Sequence, residues 1–583
     1  MTAAGLGSEP DGWPTDNRDV WAAALAGAAA MFLVQPPADL WWLAWIAPLP
    51  WLVLVRSTRL PGRHPGLALW TAGFVHWLLA IHWLRLPHPA TSLGWLALSA
   101  YLAVYVPLFV WAARRLVHRW GWPLVPAAVI AWMGCEQLRG TLLGGFTFGM
   151  LGHTQWRWTT LIQLADAFGA VGVGGVVMAV AAAATTLVTT RCRRAAAIDS
   201  AVAAAVVLLA VGYGAWRLAG EPVTTDRPLD VLLVQGSVDT ELKHDPDAAI
   251  DVAQHYDALT LEGLAASGTS ARPDLIVWPE TMWRWGLLEI DPSERLPEPV
   301  VEEMLGPPAD EPTATDDAER QALCRTALER QRIDALSAYA MRYGTTWLVG
   351  VDKQRVTPEA VTGAEHFNCG LFLDAEGRVL ACYDKMHPVM FGEYVPFAET
   401  FPILYRLTPL PAGLSAGLAP VGIKIAGYEV APTICYETAL PEAIRGLVRQ
   451  LAAGGRRPDV IVNLTNDGWF WGSSELDMHL TAAVFRAIEV RTPIVVAANT
   501  GFSAWIDGSG RLLARGPRRA VATLRAAVRR DGRASPWLTW GSLPAGGCMA
   551  VVVAVTLESL RRGPAGRAGG STKRARPGLL EPA

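Results

Sequence analysis

Charged residues are scarce in this chain. They make up 18% of its 583 residues, against 51% for hydrophobic residues, and the mean hydropathy is +0.25. So little charge among so many apolar side chains excludes a disordered or fibrous protein and points toward a membrane. The 50 basic residues nearly balance the 53 acidic ones, so the chain lacks the positive excess of a nucleic-acid-binding protein. Its length predicts two or more structural units.

Cysteine is also scarce. The seven cysteines are odd in number and widely scattered, which fits neither a disulfide framework nor a zinc pattern. The sequence contains no H-E-x-x-H, C-x-x-C or phosphate-binding loop pattern, so it predicts neither a metal nor a nucleotide cofactor. The N-terminus has neither a basic region nor an A-x-A site, and we expect no cleaved signal peptide.

Tryptophan, by contrast, is abundant, with 26 residues of a type that is enriched where membrane meets water. Residues 1–218 contain a run of apolar segments, each close to the roughly 20 residues that cross a bilayer. We predict an N-terminal membrane domain over 1–218 with seven transmembrane helices, and a C-terminal transmembrane helix at 538–560. The predicted spans are 20–34, 39–55, 66–86, 92–113, 123–138, 159–189, 195–216 and 538–560.

Arginine is distributed unevenly between the connecting loops. Loops 56–65, 114–122 and 190–194 each carry three Arg, whereas loop 35–38 has none. Because positive loops stay in the cytoplasm, both termini are expected there, together with the basic cytoplasmic tail at 561–583. The region between the last two spans then lies on the extracytoplasmic (periplasmic) side of a bacterial cytoplasmic (inner) membrane. Burial of these segments in a large soluble protein would leave the alternation of arginine unexplained.

From residue 229 onward, short β-branched runs alternate with longer amphipathic stretches, a pattern typical of α/β layers. We predict a catalytic domain over 229–525. Strands are predicted at 229–236, 274–280, 346–352, 430–437, 459–467 and 494–500, and helices near 247–266, 316–343, 439–453 and 475–490. A hairpin is predicted at 370–383. The acidic, Pro-containing segment 287–318 is interpreted as an insertion or flexible loop.

Three segments carry residues suited to acyl transfer. Glu280 of W-P-E and Cys435 of I-C-Y-E each end an apolar strand, where reactive residues of α/β sheets collect, and D-K-M-H-P-V-M-F-G-E-Y holds Lys385 and Glu393. A carboxylate can take the proton of a thiol nucleophile, and a Lys ammonium with the backbone N–H of Tyr436 could hold an oxyanion. Each residue alone is weak evidence, because most strand-end cysteines are structural. The combination is far more specific.

These segments resemble the carbon–nitrogen hydrolase (nitrilase) superfamily with its Glu-Lys-Cys triad, and the membrane half narrows the resemblance to the apolipoprotein N-acyltransferase family. The resemblance covers roughly residues 15–560. It implies a polytopic α-helical membrane domain of about eight spans and an α/β nitrilase-like four-layer αββα sandwich. Further matching segments are E-Q-L-R-G (136–140), G-G-F-T-F (144–148), L-G-H-T-Q (151–155), V-Q-G (234–236), T-N-D-G-W-F (465–470) and R-A-I-E (486–489).

The resemblance implies that Glu280 is the general base, Lys385 the oxyanion stabiliser and Cys435 the nucleophile. Cys435 would take a fatty acyl chain from a membrane phospholipid as a thioester. It would pass the chain to the α-amino group of S-diacylglyceryl-cysteine on an apolipoprotein, the last step of lipoprotein maturation. Supporting roles are implied for Glu393, Tyr436 and Glu437. The resemblance implies no cofactor, since a thioester retains its acyl-transfer potential. It also implies no nucleic acid partner.

Two alternative functions stay open at this point. A membrane-tethered amidase or nitrilase would use the same triad but give the acyl-enzyme to water, so the triad cannot distinguish it. A non-catalytic membrane scaffold or transporter would carry a vestigial hydrolase domain. The presence of Glu280, Lys385 and Cys435 together argues against this second alternative, because a vestigial site has no reason to keep all three.

Several other polar residues have less specific interpretations. Glu136 and Arg139 lie at the end of a predicted span, where they form a buried pair or contact a lipid phosphate. Asn466, Asp467 and Trp469 are expected to shape a loop that lines the pocket.

Three histidines, His82, His153 and His479, are interpreted as structural or interfacial. The chain also departs from the family pattern, because 145–148 reads G-F-T-F where G-F-P-W is usual. His244 replaces an aromatic residue expected after V-Q-G. These departures leave the preferences for acyl chain and acceptor open.

Overall fold

The computed structural model describes a helical half up to about residue 221 and an α/β half from residue 226 onward, followed by a final pair of helices. The described residues are 14–221, 226–239, 248–266, 272–307, 314–358, 363–398, 400–401, 403 and 413–561. The predicted basic tail lies almost wholly outside these residues, as does His244. The predicted domain boundaries stay predictions.

The helical half begins at a capped helix: the Asp16 carboxylate accepts hydrogen bonds from the backbone N–H groups of Arg18 (2.7 Å) and Asp19 (3.1 Å). Its helices are α1 (Asn17–Leu33), α2 (Leu49–Arg56), α3 (Pro65–Ala80), α4 (Thr91–Ala103), α5 (Tyr105–His118), α6 (Leu124–Arg139), α7 (Thr159–Ile162), α8 (Ala165–Thr189) and α9 (Arg193–Ala219). Many contacts between these helices are made by Ala and Gly, whose small side chains let backbones approach closely.

The α/β half alternates strands with helices. Its strands are β1 (Leu229–Gln235), β2 (Leu275–Val277), β3 (Trp283–Ile290), β4 (Thr346–Val356), β5 (Ala364–Leu373), β6 (Val379–Asp384), β7 (Ile423–Ile425), β8 (Tyr428–Ile434), β9 (Val460–Thr465), β10 (Ile494–Ala498), β11 (Ala504–Ile506), β12 (Leu512–Arg515) and β13 (Ala522–Val528). Its helices are α10 (Ala249–Ala266), α11 (Glu298–Leu305), α12 (Ala314–Tyr343), α13 (Pro441–Ala453) and α14 (Glu475–Val490), and the final pair is α15 (Pro536–Trp540) and α16 (Leu543–Arg561).

The strands form two sheets. The first has the order β13-β1-β2-β4-β5-β6, with β3 also paired to β4, and the second has the order β12-β11-β10-β9-β8-β7. Apolar side chains such as Val231, Val277, Val430 and Val462 pack the sheets face to face. Helices α10 and α12 cover the outer face of the first sheet, and α13 and α14 cover that of the second. The expected four-layer αββα sandwich is therefore confirmed.

The central strands explain why the sequence predicts the α/β layers of this domain. In each sheet the central pairs, including β1 with β2 and β8 with β9, are parallel. Parallel strands are covered on both faces, so they read as continuous apolar runs. The predicted hairpin is confirmed as β5 and β6, which are antiparallel with Leu371 opposite Cys382.

The interpretation of 287–318 as a flexible loop is wrong for most of its described residues. Its first residues belong to β3, which pairs with β4, and 298–305 form α11. The physical reason is a small apolar cluster in which Ile290 and Val301 are buried against Cys324 of α12. Residues 308–313 of this segment lie outside the described residues.

Helices occur at all eight predicted spans, seven in the helical half and one in the final pair, but most are shorter than a full span. In the described part of the chain, three helical stretches are long and apolar enough to cross a membrane: Thr91–His118, Ala165–Thr189 and Arg193–Ala219. Shorter apolar helices occupy Trp41–Arg56, Pro65–Ala80 and Leu543–Ser559. The predicted count of about eight spans is thus not confirmed, because 3-10 turns interrupt several apolar runs.

Glu136 and Arg139 adopt the first of their two predicted arrangements. Each is 4% exposed, and Arg139 Nη2 lies 4.0 Å from Glu136 Oε1. Arg139 Nη1 donates to the carbonyl of Phe148 (2.7 Å), and the N–H of Leu151 donates to Glu136 (2.8 Å). The pair is therefore buried, and it holds the G-G-F-T-F loop that approaches the α/β half.

Candidate active site

Glu280 lies just beyond β2 and is 6% exposed. Its Oε1 accepts a hydrogen bond from Asn368 Nδ2 (2.5 Å), and its Oε2 accepts one from the backbone N–H of Asn466 (2.9 Å). Gly350 on β4 makes room for this turn, because a Cβ there would lie 2.3 Å from the carbonyl oxygen of Pro279. The carboxylate is thus fixed by two donors, one on β5 and one directly after β9.

Lys385 follows β6 directly and is 1% exposed. Its Nζ lies 2.6 Å from Glu393 Oε1 and 3.8 Å from Glu280 Oε1. The other oxygen of Glu393 accepts the N–H of Val389 (2.7 Å). Burial by itself lowers the pKa of Lys385, but attraction to Glu393, Glu280 and the Cys435 thiol exceeds it, and the net pKa is raised. Lys385 is therefore a permanent cation.

Cys435 follows β8 and has a φ of 49°, a left-handed conformation that is uncommon outside glycine. The residue is half-buried. Burial raises the pKa of its thiol well above the ordinary value; Glu280 raises it further, and Lys385 partly opposes both. The thiol is therefore protonated at rest, and it lies within the electrostatic reach of both a carboxylate and an ammonium group.

Tyr436 connects this site to the helical half. Its hydroxyl donates to the carbonyl of Gly145 (3.1 Å), and its ring centroid lies 5.8 Å from that of Phe148. Thr147 of the same loop donates to the carbonyl of Ala439 (2.6 Å). The G-G-F-T-F loop therefore contacts the chain on both sides of the turn after Cys435.

Glu437 is 1% exposed and lies against the segment that follows Lys385. It accepts hydrogen bonds from the Tyr383 hydroxyl (2.8 Å) and from the N–H groups of Met386 (2.8 Å) and Ile434 (2.7 Å). Burial raises the pKa of Glu437, but these bonds and His387 outweigh burial and lower it overall. Glu437 thereby ties the strand before Cys435 to the loop after Lys385.

The structure brings Glu280, Lys385, Glu393 and Cys435 into one cluster and places Tyr436 and Glu437 behind the cysteine. Of the predicted loop residues, Asn466 contacts Glu280 through its backbone, whereas the carboxylate of Asp467 faces His479 (3.1 Å) and Trp469 is half-buried.

The three predicted structural histidines differ in their surroundings. His153 packs on the ring of Phe485, with centroids 4.9 Å apart, and His82 Nδ1 lies 3.0 Å from the carbonyl oxygen of Leu79. The interpretation of His479 was incomplete, because its Nε2 lies 3.1 Å from the carbonyl oxygen of Cys435. Sequence reasoning also missed Asn368, for which no local motif provides a signal.

Two clusters in the described part of the chain have ligand atoms close enough to hold a metal ion: Cys369, Cys382 and Asp384, and a second one around His479. Lys353 Nζ lies 2.7 Å from Asp384 and occupies the first cluster with a positive charge. Neither cluster includes Glu280, Lys385 or Cys435.

Two family models match the chain. Residues 27–183 match the N-terminal domain of apolipoprotein N-acyltransferase, and residues 249–535 match carbon–nitrogen hydrolase. The first match lies within the helical half, and the second covers most of the αββα sandwich.

Curated relatives span nearly the whole chain. The apolipoprotein N-acyltransferase of Rhodopirellula baltica is 31% identical over 563 residues, covering 90% of this chain and 94% of the relative. That of Geobacter metallireducens is 30% identical over 566 residues, covering 95% and 97%. The crystal structure of Saccharomyces cerevisiae Nit3, of the nitrilase superfamily, aligns with a TM-score of 0.34 at 14% identity, over 55% of this chain and 95% of that one. By its relatives and its two family models, the chain belongs to the apolipoprotein N-acyltransferase family.

Proposed function

We propose that this chain performs the activity for which its family is named, the N-acylation of apolipoproteins, through a thioester on Cys435. The observation that carries the proposal is the position of Lys385, a buried cation 2.6 Å from Glu393 and 3.8 Å from Glu280, beside a half-buried thiol. Glu280 is the general base, Lys385 stabilises the oxyanion, and Cys435 is the nucleophile.

The first half-reaction takes an acyl chain from a membrane phospholipid. Glu280 accepts the thiol proton as the sulfur of Cys435 attacks the ester carbonyl carbon. Lys385 and the backbone N–H of Tyr436 hold the resulting oxyanion. Collapse breaks the carbon–oxygen bond, and the lysophospholipid oxygen takes the proton from Glu280. A general base is needed because burial keeps the thiol protonated at rest.

The second half-reaction delivers the chain to the apolipoprotein. The neutral α-amino group of its S-diacylglyceryl-cysteine attacks the thioester carbonyl, and Glu280 accepts a proton from the nitrogen. The carbon–sulfur bond breaks, and the sulfur of Cys435 regains the proton. Glu393 supports this chemistry by holding Lys385, and Glu437 by fixing the segments that carry Lys385 and Cys435.

The proposed setting is a bacterial cytoplasmic membrane crossed about eight times. The membrane domain (1–218) and the last helix (538–560) flank a catalytic domain (229–525) on the extracytoplasmic side, with both termini and the tail at 561–583 in the cytoplasm. The arginine-rich loops support this orientation. Helix α9 supports a location in the membrane, because its Leu208 and Leu209 side chains are 71% and 73% exposed.

Both substrates are anchored in the membrane, which favours acyl transfer to a lipoprotein over transfer to water. The G-G-F-T-F loop of the helical half contacts Tyr436, the residue after the nucleophile. A hydrolase acting on soluble amides would not need such a contact with a membrane domain. The amidase alternative therefore has less support than the acyltransferase.

The test is intact-protein mass spectrometry of detergent-purified enzyme incubated with phospholipid, with Cys435→Ala and Cys192→Ala beside the wild type. Cys192 is a half-buried thiol of the helical half and serves as a matched control. We expect a fatty acyl increment on the wild type and on Cys192→Ala, and none on Cys435→Ala. A synthetic diacylglyceryl lipopeptide should remove the increment and become N-acylated. Loss of the increment to water at the same rate without lipopeptide would favour the hydrolase.

A further inference from the structure

The peptide group that joins Cys435 to Tyr436 is held from behind by side chains. Its carbonyl oxygen lies 3.1 Å from His479 Nε2, 3.2 Å from Asn463 Nδ2 and 3.1 Å from Thr438 Oγ1. His479 is 5% exposed, and the other two side chains are fully buried. A backbone carbonyl at the end of a strand needs one partner, so three convergent donors indicate that the orientation of this peptide matters.

That orientation determines where the proposed oxyanion donor points. A trans peptide group is planar, with its C=O and N–H on opposite sides. Fixing the carbonyl oxygen of Cys435 in the cage of His479, Asn463 and Thr438 therefore also fixes the N–H of Tyr436 on the far side. The left-handed φ of 49° at Cys435 makes such support necessary, because this conformation is unfavourable for a residue with a Cβ.

His479 is the one member of the cage that titrates. Its Nδ1 lies 3.1 Å from Asp467 Oδ1 and 4.0 Å from Glu475 Oε1. Its Nε2 lies between the Cys435 carbonyl (3.1 Å) and the Thr438 hydroxyl (2.9 Å). Burial lowers the pKa of His479, but Asp467 and Glu475 outweigh burial and raise it to about 9.

Glu475 and Thr465 complete the described surroundings of the Asp467–His479 pair. Burial and the neighbouring Asp467 raise the pKa of Glu475 well above its ordinary value. The Asp467 carboxylate also accepts a hydrogen bond from Thr465 Oγ1 (2.7 Å).

We propose that His479, held by Asp467, is a positioning residue for acyl transfer: its Nε2 holds the carbonyl of the Cys435–Tyr436 peptide, so that the N–H of Tyr436 meets the developing oxyanion. A hydrogen bond to the carbonyl withdraws electrons along the peptide and strengthens the N–H as a donor. The inference rests on the proposed function, because it concerns the oxyanion of the Cys435 thioester route.

The test compares two reactions of the same thiol. Formation of the acyl-enzyme from phospholipid passes through an oxyanion, whereas alkylation of Cys435 by iodoacetamide does not. Both rates are measured on the full-length enzyme in detergent for the wild type, His479→Ala, His479→Gln and a control, His255→Gln. His255 also has its Nε2 on a backbone carbonyl, that of Gly236 (2.8 Å), but lies outside the proposed machinery.

We expect His479→Ala to slow acylation by about 10²-fold, the effect of losing an oxyanion donor, and to leave alkylation unchanged. His479→Gln keeps a neutral N–H donor and should recover part of the rate, and His255→Gln should acylate like the wild type. Equal slowing of acylation and alkylation would show a merely structural histidine and would overturn the inference, as would unchanged acylation in His479→Ala.

If the wild-type enzyme is alkylated at Cys435 but is never acylated, the thioester route is refuted. The positioning role of His479 is then refuted as well, because it depends on that route. The two failures are therefore distinguishable. If His479→Ala does not fold, the His479→Gln variant decides the question by the same pair of rates.

Discussion

Two of the buried cations lie in contrasting surroundings: Lys385 in the catalytic domain and Arg491 where that domain meets the helical half. Each is 1% exposed. Arg491 donates to Asp166 Oδ2 through Nη2 (2.5 Å) and Nε (2.9 Å), and to Gln163 Oε1 through Nη1 (2.7 Å). Its planar guanidinium is thus shared among fixed acceptors from the helical half.

Lys385 is held more loosely. Among the residues that the structure describes, it has one short contact, to Glu393 (2.6 Å), and one long contact, to Glu280 (3.8 Å). An ammonium group has three donors, so a cation held in this way retains the capacity to meet a new negative charge. The comparison teaches that burial of an ion pair does not by itself indicate function. What distinguishes Lys385 is its incomplete coordination beside a half-buried thiol.

The largest expected effect comes from Lys385→Met, which removes the buried cation of the active site. Without the cation, the oxyanion loses its charged partner, and acyl-enzyme formation should fall about 10³-fold or more. Glu280 keeps its bonds from Asn368 and Asn466, so the thermal unfolding temperature should fall much less than the activity. Stopped-time mass spectrometry measures the rate, with the exposed Lys424→Met as control. Acylation at a wild-type rate would remove Lys385 from the mechanism.

Arg491→Met removes the other buried cation, to which we assign a structural role. Asp166 retains Arg217 (2.6 Å) and Tyr213 (2.6 Å), but removal of one partner of a buried pair costs about 3–5 kcal/mol. We expect a large loss of thermal stability in detergent, with an acylation rate per folded molecule close to that of the wild type. A stable Arg491→Met enzyme with impaired acylation would reverse the roles assigned to the two cations.

Glu437→Gln should have an intermediate effect of about 1–3 kcal/mol, since the new amide would face N–H groups that now donate to a carboxylate. The folded-state pKa of Glu437 is lowered, so its contribution to stability is present above its ordinary pKa of 4.5 and is lost as the pH falls through the lower folded value. The stability difference between wild type and variant should therefore shrink in acid. Unfolding at a series of pH values checks this, with the exposed Glu376→Gln as control. A difference that grows in acid would contradict the assignment.

The smallest expected effect is that of Tyr436→Phe, which removes only the hydroxyl bond to Gly145. Loss of one such bond costs about 1 kcal/mol, so stability and acylation should change slightly. Tyr428→Phe is the matched control, because its hydroxyl also donates to a backbone carbonyl, that of Arg227 (2.9 Å). A loss of acylation as severe as that of Lys385→Met would place the Tyr436 hydroxyl in the chemistry.

The family resemblance predicted the four-layer sandwich, and the apolar runs predicted α/β layers with Glu280 and Cys435 at the ends of strands. Central parallel strands read as apolar runs, and the residues that end them meet at one edge of the fold. The sequence was insufficient for β3, where W-R-W-G-L-L-E-I mixes large, charged and small residues because only part of the strand is buried. The predicted number of membrane spans is not confirmed for a related reason: 3-10 turns such as His82–Arg85 shorten a helix without interrupting the hydrophobicity of the sequence.

Long-range contacts account for the site residues that the sequence did not predict. His479 lies 44 residues from Cys435 in sequence, and Asn368 lies 88 residues from Glu280, so no local spacing marks either contact. Arg491 and Asp166 are 325 residues apart. Such pairs arise from how layers and helices pack, and a single sequence contains no periodicity that encodes them.

The most direct test of the account is to locate the acyl chain within the enzyme. Wild-type protein is incubated with phospholipid, digested in acid to preserve thioesters, and mapped by tandem mass spectrometry across its seven cysteines. The account predicts one hydroxylamine-sensitive acyl group, on the peptide that contains Cys435, which disappears when diacylglyceryl lipopeptide is added. An acyl group on another residue, transferred to the lipopeptide at the same rate in Cys435→Ala, would contradict the central claim.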